Sequence, residues 1–130
     1  MLQKLTAVKV ADTTGVVDAM VIQVFPGSCT YAHLSDKIRV STKSIKKLRR
    51  TYKVAAGRMR KIIFKKKRRN AIIVRVKNPI FYRDGSVVRF MNNAVVLTAR
   101  AKFFKRKRYT GIGTRMLGYA KLLHKFLFYI

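Results

Sequence analysis

Short stretches rich in β-branched residues recur at positions 6–10, 17–25, 37–42, 71–77, 86–90 and 94–98, separated by Gly, Asn, Asp or Ser. Segments of that length and spacing predict the strands of a small closed barrel. Asp84-Gly85 sits between two basic, β-prone arms, and this dipeptide suits a tight turn with positive φ, so an exposed hairpin is expected there. Helical signal is confined to two places. Residues 42–67 carry a mixed and strongly basic pattern. In the tail, Met116, Ala120, Leu123, Leu127 and Ile130 recur at steps of three and four, with Lys121, His124 and Lys125 between them, which predicts a helix within 114–130. At about 15 residues with internal charges, it falls short of the roughly 20 apolar positions of a membrane span, and no membrane insertion is expected.

The 130 residues are 49% apolar, enough for one modest core, so a single domain over 1–130 is expected rather than a disordered basic tail. Charge changes the picture most. There are 31 Lys and Arg against 4 acids, every acid an Asp, for a net charge of +27. A compact chain so charged repels itself unless a polyanion neutralises it, and nucleic acid is the expected partner. The basic residues cluster. Of the 24 residues in 46–69, 13 are Lys or Arg, among them Lys46, Lys47, Arg49, Arg50 and the run Lys65-Lys66-Lys67-Arg68-Arg69. This reads as a phosphate-binding arm. A second cluster sets Lys105, Arg106, Lys107 and Arg108 beside Phe103, Phe104 and Tyr109, so bases or riboses can stack where phosphates are neutralised. The competing reading has these aromatics anchoring a loop on the core.

Catalysis has little to stand on. Glu is absent and Asp12, Asp18, Asp36 and Asp84 are scattered, so a paired-carboxylate mechanism would need a chance meeting in space. Cys29 and His33 are four apart, yet His124 is the only other His and no second Cys exists to complete a metal or thiol site. A lone Cys also forms no internal disulfide and fits a reducing compartment. Gly111-Ile112-Gly113 lacks the third glycine and the preceding strand of a dinucleotide fingerprint, and no Walker loop occurs. No catalytic residue, cofactor or metal is therefore assigned.

Several segments, in order and near-correct spacing, resemble the family of large-subunit ribosomal protein fourteen. Its opening M-I-Q is similar to Met1-Leu2-Gln3, and its V-A-D-N-S-G-A to the run from Val10-Ala11-Asp12 to Val16. Its Y-A-x-x-G-D-I-I resembles Tyr31-Ala32, Asp36 and Ile38, and its A-V-V-V-R-T-K resembles Ala71-Ile72-Ile73-Val74-Arg75-Val76-Lys77. Two motifs weigh most: D-G-S-x-I-R-F-x-x-N-A-x-V-L against Asp84-Gly85-Ser86, Val88-Arg89-Phe90, Asn93-Ala94 and Val96-Leu97, and G-T-R-I-x-G-P against Gly113-Thr114-Arg115-Met116-Leu117-Gly118. The chain departs from the family at Pro26-Gly27-Ser28, at Tyr119, at Leu122-Leu123-His124, and in residues 46–69, which are longer by about a dozen.

The resemblance implies a mainly β fold: a closed five-stranded barrel with short C-terminal helices, here carrying a basic insertion at about 46–69. It implies a structural constituent of the large ribosomal subunit, bound to large-subunit rRNA near the subunit interface. Implied partners are small-subunit rRNA at an intersubunit bridge, neighbouring large-subunit proteins, and a ribosome-silencing factor that blocks subunit joining. Within that frame, Arg75, Lys77 and Arg83 are assigned to the hairpin as RNA contacts, and Arg89 and Arg115 to positioning RNA near the barrel. The alternative for Arg89 and Arg115 is hydrogen bonding to loop carbonyls inside the protein. The tail either closes the barrel end or, through Phe126, Leu127, Phe128, Tyr129 and Ile130, docks into a neighbouring protein.

Three other classes share single features only. A DNA-compacting protein would share the charge but not the ordered motifs; a membrane-active cationic protein could use the tail; an RNA-modifying enzyme lacks reactive groups. Bacterial-type motifs, the enlarged arm and the absence of a signal-peptide run at the start point to a mitochondrial ribosome, with a bacterial cytoplasm or plastid as the alternative.

Overall fold

The computed structural model describes residues 1–25, 30–46, 65–103, 106–113 and 115–120. Eight strands follow in order: β1 Ala7–Val10, β2 Val16–Val24, β3 Lys37–Ile45, β4 Arg68–Arg75, β5 Ile80–Phe81, β6 Val87–Val88, β7 Ala94–Phe103 and β8 Arg106–Gly111. Antiparallel pairing joins β1, β2, β3, β4 and β7 in that order. A short parallel pairing of β1 with β7, Lys9 opposite Ala94 and Val10 opposite Val95, then closes the five strands into a barrel. This is the expected architecture.

Closure of so small a sheet requires bent strands, and the bends are visible in the burial pattern. Along β2 the buried residues are Val16, Ala19, Val21 and Val24, stepping by three, two and three rather than by two. Register shifts against β3 lie between Val16 and Asp18, Asp18 and Ala19, and Val21 and Gln23, each inserting a residue that sharpens the twist. The interior is filled by Val8, Val21, Ile38, Val40, Ile73 and Leu97, among others.

Unbroken apolar runs at Ala71-Ile72-Ile73-Val74 and Ala94-Val95-Val96-Leu97 are buried throughout. Such runs occur where both faces of a sheet are covered. Ile73, Val95 and Leu97 belong to the interior, whereas Val74, Ala94 and Val96 pack outside with Ala11, Met116 and Ala120. The start of the tail therefore covers an outer face of the barrel rather than plugging its end.

Four expectations are corrected. Residues 42–45, read as the start of a mixed helical signal, extend β3, where Ser44 and Ile45 pair with β2. Residues 115–120 are not helical: Met116 bridges to Asp12, Leu117 N donates to Ala11 O at 2.9 Å, and Gly118 has φ +77°. A left-handed residue ends any right-handed helix, and the step-of-four apolar pair Met116 and Ala120 serves the outer face instead. The rest of the predicted helix, 121–130, lies outside the described residues. The predicted strand 86–90 shrinks to β6, paired only with β5 in a separate ribbon. Finally, β8 runs through a segment assigned no strand, because Arg-Lys-Arg carries little β propensity and its pairing with β7 supplies the order.

Candidate nucleic-acid interface

Each of the four acids is engaged by the protein's own backbone or side chains. The Asp12 carboxylate accepts Leu97 N and Thr14 N at 2.9 Å and the Thr14 hydroxyl, tying the β1–β2 turn to β7. Burial pushes its carboxyl above the ordinary value, against the opposing pull of these hydrogen bonds. Asp18 is held below its ordinary value, first by Lys9 Nζ at 2.7 Å and then by the Ser44 hydroxyl. Asp36 accepts His33 N at 2.7 Å and Asp84 accepts Ser86 N at 2.9 Å, each shaping a turn. Lys9 Nζ pairs with Asp18 Oδ1 at 2.7 Å, and His33 Nδ1 lies 3.7 Å from Asp36 Oδ2. The basic surface is therefore largely uncompensated, the condition under which an RNA backbone binds by displacing its counterions.

Both ends of the basic stretch expected as an arm, at Lys46 and at residues 65–67, lie against the barrel. Lys46 N donates to Gly15 O at 2.8 Å, and on the returning side Lys66 N donates to Thr42 O at 2.7 Å. Thr42 N donates to Lys67 O at 3.1 Å, and the Thr42 hydroxyl accepts Lys67 N at 3.1 Å. Lys46, Lys65, Lys66 and Lys67 are exposed at these ends, and Arg68 and Arg69 belong to β4 rather than to a free arm. Lys47, Arg49, Arg50 and Lys105 lie outside the described residues.

The β5–β6 hairpin forms as expected. Tyr82 N donates to Ser86 O at 3.0 Å, Gly85 N to Tyr82 O at 3.1 Å, and Gly85 sits at φ +80°. Arg83 and Arg89 are exposed on this ribbon and beside it. Lys77 is exposed where its backbone N meets Asn93 Oδ1 at 2.8 Å. A second ribbon, β7–β8, sets Lys102 opposite Lys107 and Ala101 opposite Arg108.

Arg75 is placed differently from its expected position. It ends β4, away from the hairpin turn, and its Nη2 donates to Leu117 O at 2.8 Å. The internal carbonyl-binding role weighed for Arg89 and Arg115 is thus performed by Arg75. Arg115 is exposed, its backbone N donating to Thr13 Oγ1 and its carbonyl accepting Thr13 N, both at 3.2 Å.

The profile of the family described as ribosomal protein L14p/L23e matches residues 1–123. The chain belongs to that family. The large ribosomal subunit protein uL14m of Nyctotherus ovalis is similar to it, 29% identical over 129 residues that cover 97% of each chain. The family match spans the barrel, both ribbons and the basic stretch 46–69.

Sequence reasoning missed the basic surface this L14-family barrel carries on β3. Arg39 lies on that strand between the buried Ile38 and Val40, with its guanidinium carbon 5.5 Å from the centroid of the Phe25 ring. It pairs across the ladder with Asn70, which in turn pairs with Thr98. The alternation Lys37, Arg39, Ser41 in a predicted strand was an available signal for a basic outer face. Nothing in the sequence pointed to Asn70 or Phe25. Among the described residues no group of three or more His, Cys, Asp or Glu could hold a metal, and no helix is long and apolar enough to cross a membrane.

Proposed function

We propose that this protein is a structural constituent of the large subunit of the mitochondrial ribosome, held on rRNA by its uncompensated basic surfaces. The match of the family over residues 1–123 carries this reading. The uL14m relative supports the mitochondrial ribosome as its location. Its partners are rRNA and neighbouring ribosomal proteins. The barrel acts as a rigid platform, and the ribbons, arm roots and β3 face present cations to RNA phosphates. Its role is architectural rather than catalytic. At the finer level, it sits near the subunit interface, reaches small-subunit rRNA at a bridge, and offers a surface to a silencing factor. The contacts assigned are Lys46, Lys65, Lys66, Lys67, Arg68, Arg69, Lys77, Arg83, Arg89, Arg106, Lys107, Arg108 and Arg115, with Arg75 holding the tail.

Ultraviolet crosslinking in intact mitochondria, followed by sequencing of the attached RNA, tests this. Sharp peaks on one region of large-subunit rRNA, with weaker ones on small-subunit rRNA, are expected. Diffuse recovery across messenger RNA, or mainly DNA, would overturn it in favour of general nucleic-acid packaging.

A further inference from the structure

Strands β4 and β7 run side by side from Arg75 opposite Ala94 to Asn70 opposite Thr98, and then part. Beyond that point Arg68 and Arg69 pair only with β3, opposite Ser41 and Val40, and residues 99–103 pair only with β8. The fork opens a cavity of about 410 Å³ lined by Arg39, Arg68, Arg69, Asn70, Thr98 and Ala99. A second cavity of about 250 Å³ shares Arg39, Asn70 and Thr98 with it and adds Phe25 and Lys37. Both are open to solvent, and the larger has a volume within the roughly 300–1,000 Å³ of ligand clefts.

Arg39, Arg68 and Arg69 form no ion pair among the described residues, and the Nε of Arg69 is buried without a hydrogen-bond partner. A buried donor left unmade is costly, and three arginines lining one opening with no carboxylate paired to them offer a site for an anion. Guanidinium forks match phosphate oxygens bidentately. The adjoining cavity differs in chemistry. It offers one aromatic ring already paired with a cation, and an amide that both donates and accepts. A duplex presents phosphates but hides its base faces, whereas a nucleotide splayed from a loop or bulge presents both.

We propose that the β4–β7 fork seats one unstacked nucleotide of rRNA, its phosphate on Arg68 and Arg69, its base against the Phe25–Arg39 pair, and its base edge on Asn70. This rests on the rRNA-binding reading above and adds a specific subsite to it. The geometry selects single-stranded RNA at this point, while the ribbons and arm serve backbone contacts of either form.

The test compares full-length protein and its variants in binding two RNAs of equal length and charge at matched salt, one a stem with a single-stranded loop, the other a perfect duplex. Phe25→Leu and Asn70→Ala are expected to weaken loop binding by about tenfold with an unchanged salt slope, and to leave duplex binding as it was. Arg68→Ala with Arg69→Ala lowers the salt slope for the loop by about one, because the two share a single phosphate. Thermal unfolding of each variant confirms the fold. In parallel, crosslinked mitochondrial ribosomes digested to single-nucleotide adducts should yield an adduct on the peptide carrying Phe25. Unchanged loop affinity in folded Phe25→Leu and Asn70→Ala, or adducts joining the fork to an acidic segment of another protein, would overturn the subsite while leaving the rRNA reading intact. Failure of the wild-type protein to prefer structured RNA over DNA would overturn both.

Discussion

The two ends of β4 carry the same residue type in opposite circumstances. Arg75 and Arg69 each have a buried Nε without a partner, but at the Arg75 end the chain returns and delivers the Leu117 carbonyl to the guanidinium. Met116 and Ala120 then cover the outer face beside Val74 and Val96. At the Arg69 end the neighbouring strand departs, and no carbonyl or carboxylate among the described residues replaces it. The fold gives one guanidinium a carbonyl at its Nη2, although its Nε stays unpartnered, and gives the other none among the described residues. What separates a structural cation from a binding one is therefore the path of a distant segment, not the cation or its strand.

The comparison breaks most forcefully in the core that both ends share. Ile73→Ala should cost about 2–5 kcal/mol in chemical denaturation, because the closed barrel around a fully buried side chain cannot collapse to fill the void. RNA affinity of the fraction that remains folded should be unchanged. A loss of affinity equal to that of the fork variants would mean the two ends are not separable.

Substituting the arginines themselves sharpens it. Arg75→Ala should lower stability by about 1–3 kcal/mol, since the Leu117 carbonyl loses a charged donor, and should expose the tail to limited proteolysis. Arg69→Ala should leave stability level or slightly raised while weakening loop-RNA binding. Equal destabilisation by both would refute the distinction.

Gly118→Ala perturbs the closed end from the tail's side. Its φ of +77° disfavours an L side chain, and a Cβ would stand 3.3 Å from Arg75 Nη1. The expected loss is about 1–2 kcal/mol, and it should shrink in the Arg75→Ala background, as a double-mutant cycle would reveal.

The smallest effect is pH dependence. Asp12 has its carboxyl raised by burial, so the folded state binds the proton more tightly than the unfolded chain. Stability should fall as pH rises from the ordinary carboxylate value through the raised one, and be level above it. Asp18, lowered by Lys9 and Ser44, acts in the opposite sense: its contribution is present above the ordinary value and is lost as pH falls through the lowered one. Because Asp18 is exposed, added salt should erase its part and leave that of Asp12. Asp12→Asn should abolish the decline seen in thermal melts above the ordinary carboxylate value. Its persistence would assign the decline elsewhere.

Much of the barrel was legible because β-branched runs bounded by turn residues report local preference directly. The turn at Asp84-Gly85 was legible for the same reason: a positive φ demands a particular residue where it occurs. By contrast, β8 was invisible, since Arg106-Lys107-Arg108 has no preference of its own and is ordered by the ladder to β7. The apolar spacing of Met116 and Ala120 fits a helix face and an extended segment laid on a sheet about equally well, and only the contact with Ala11, Val74 and Val96 decides between them. Of the candidate site, the sequence supplied the cations but not their grouping. Arg68 and Arg69 looked like the end of an arm, and Arg39 drew no reading at all.

By itself, the sequence determined the chain's class: a mainly β fold, an overwhelming positive charge with too few acids to neutralise it, and ordered motifs of a ribosomal protein family. Those properties are sums or local preferences, and they survive any rearrangement of the chain in space. Only the tertiary structure decided which arginine is consumed by the fold and which is left facing a cavity, because that depends on where β7 parts from β4 and where the tail comes back.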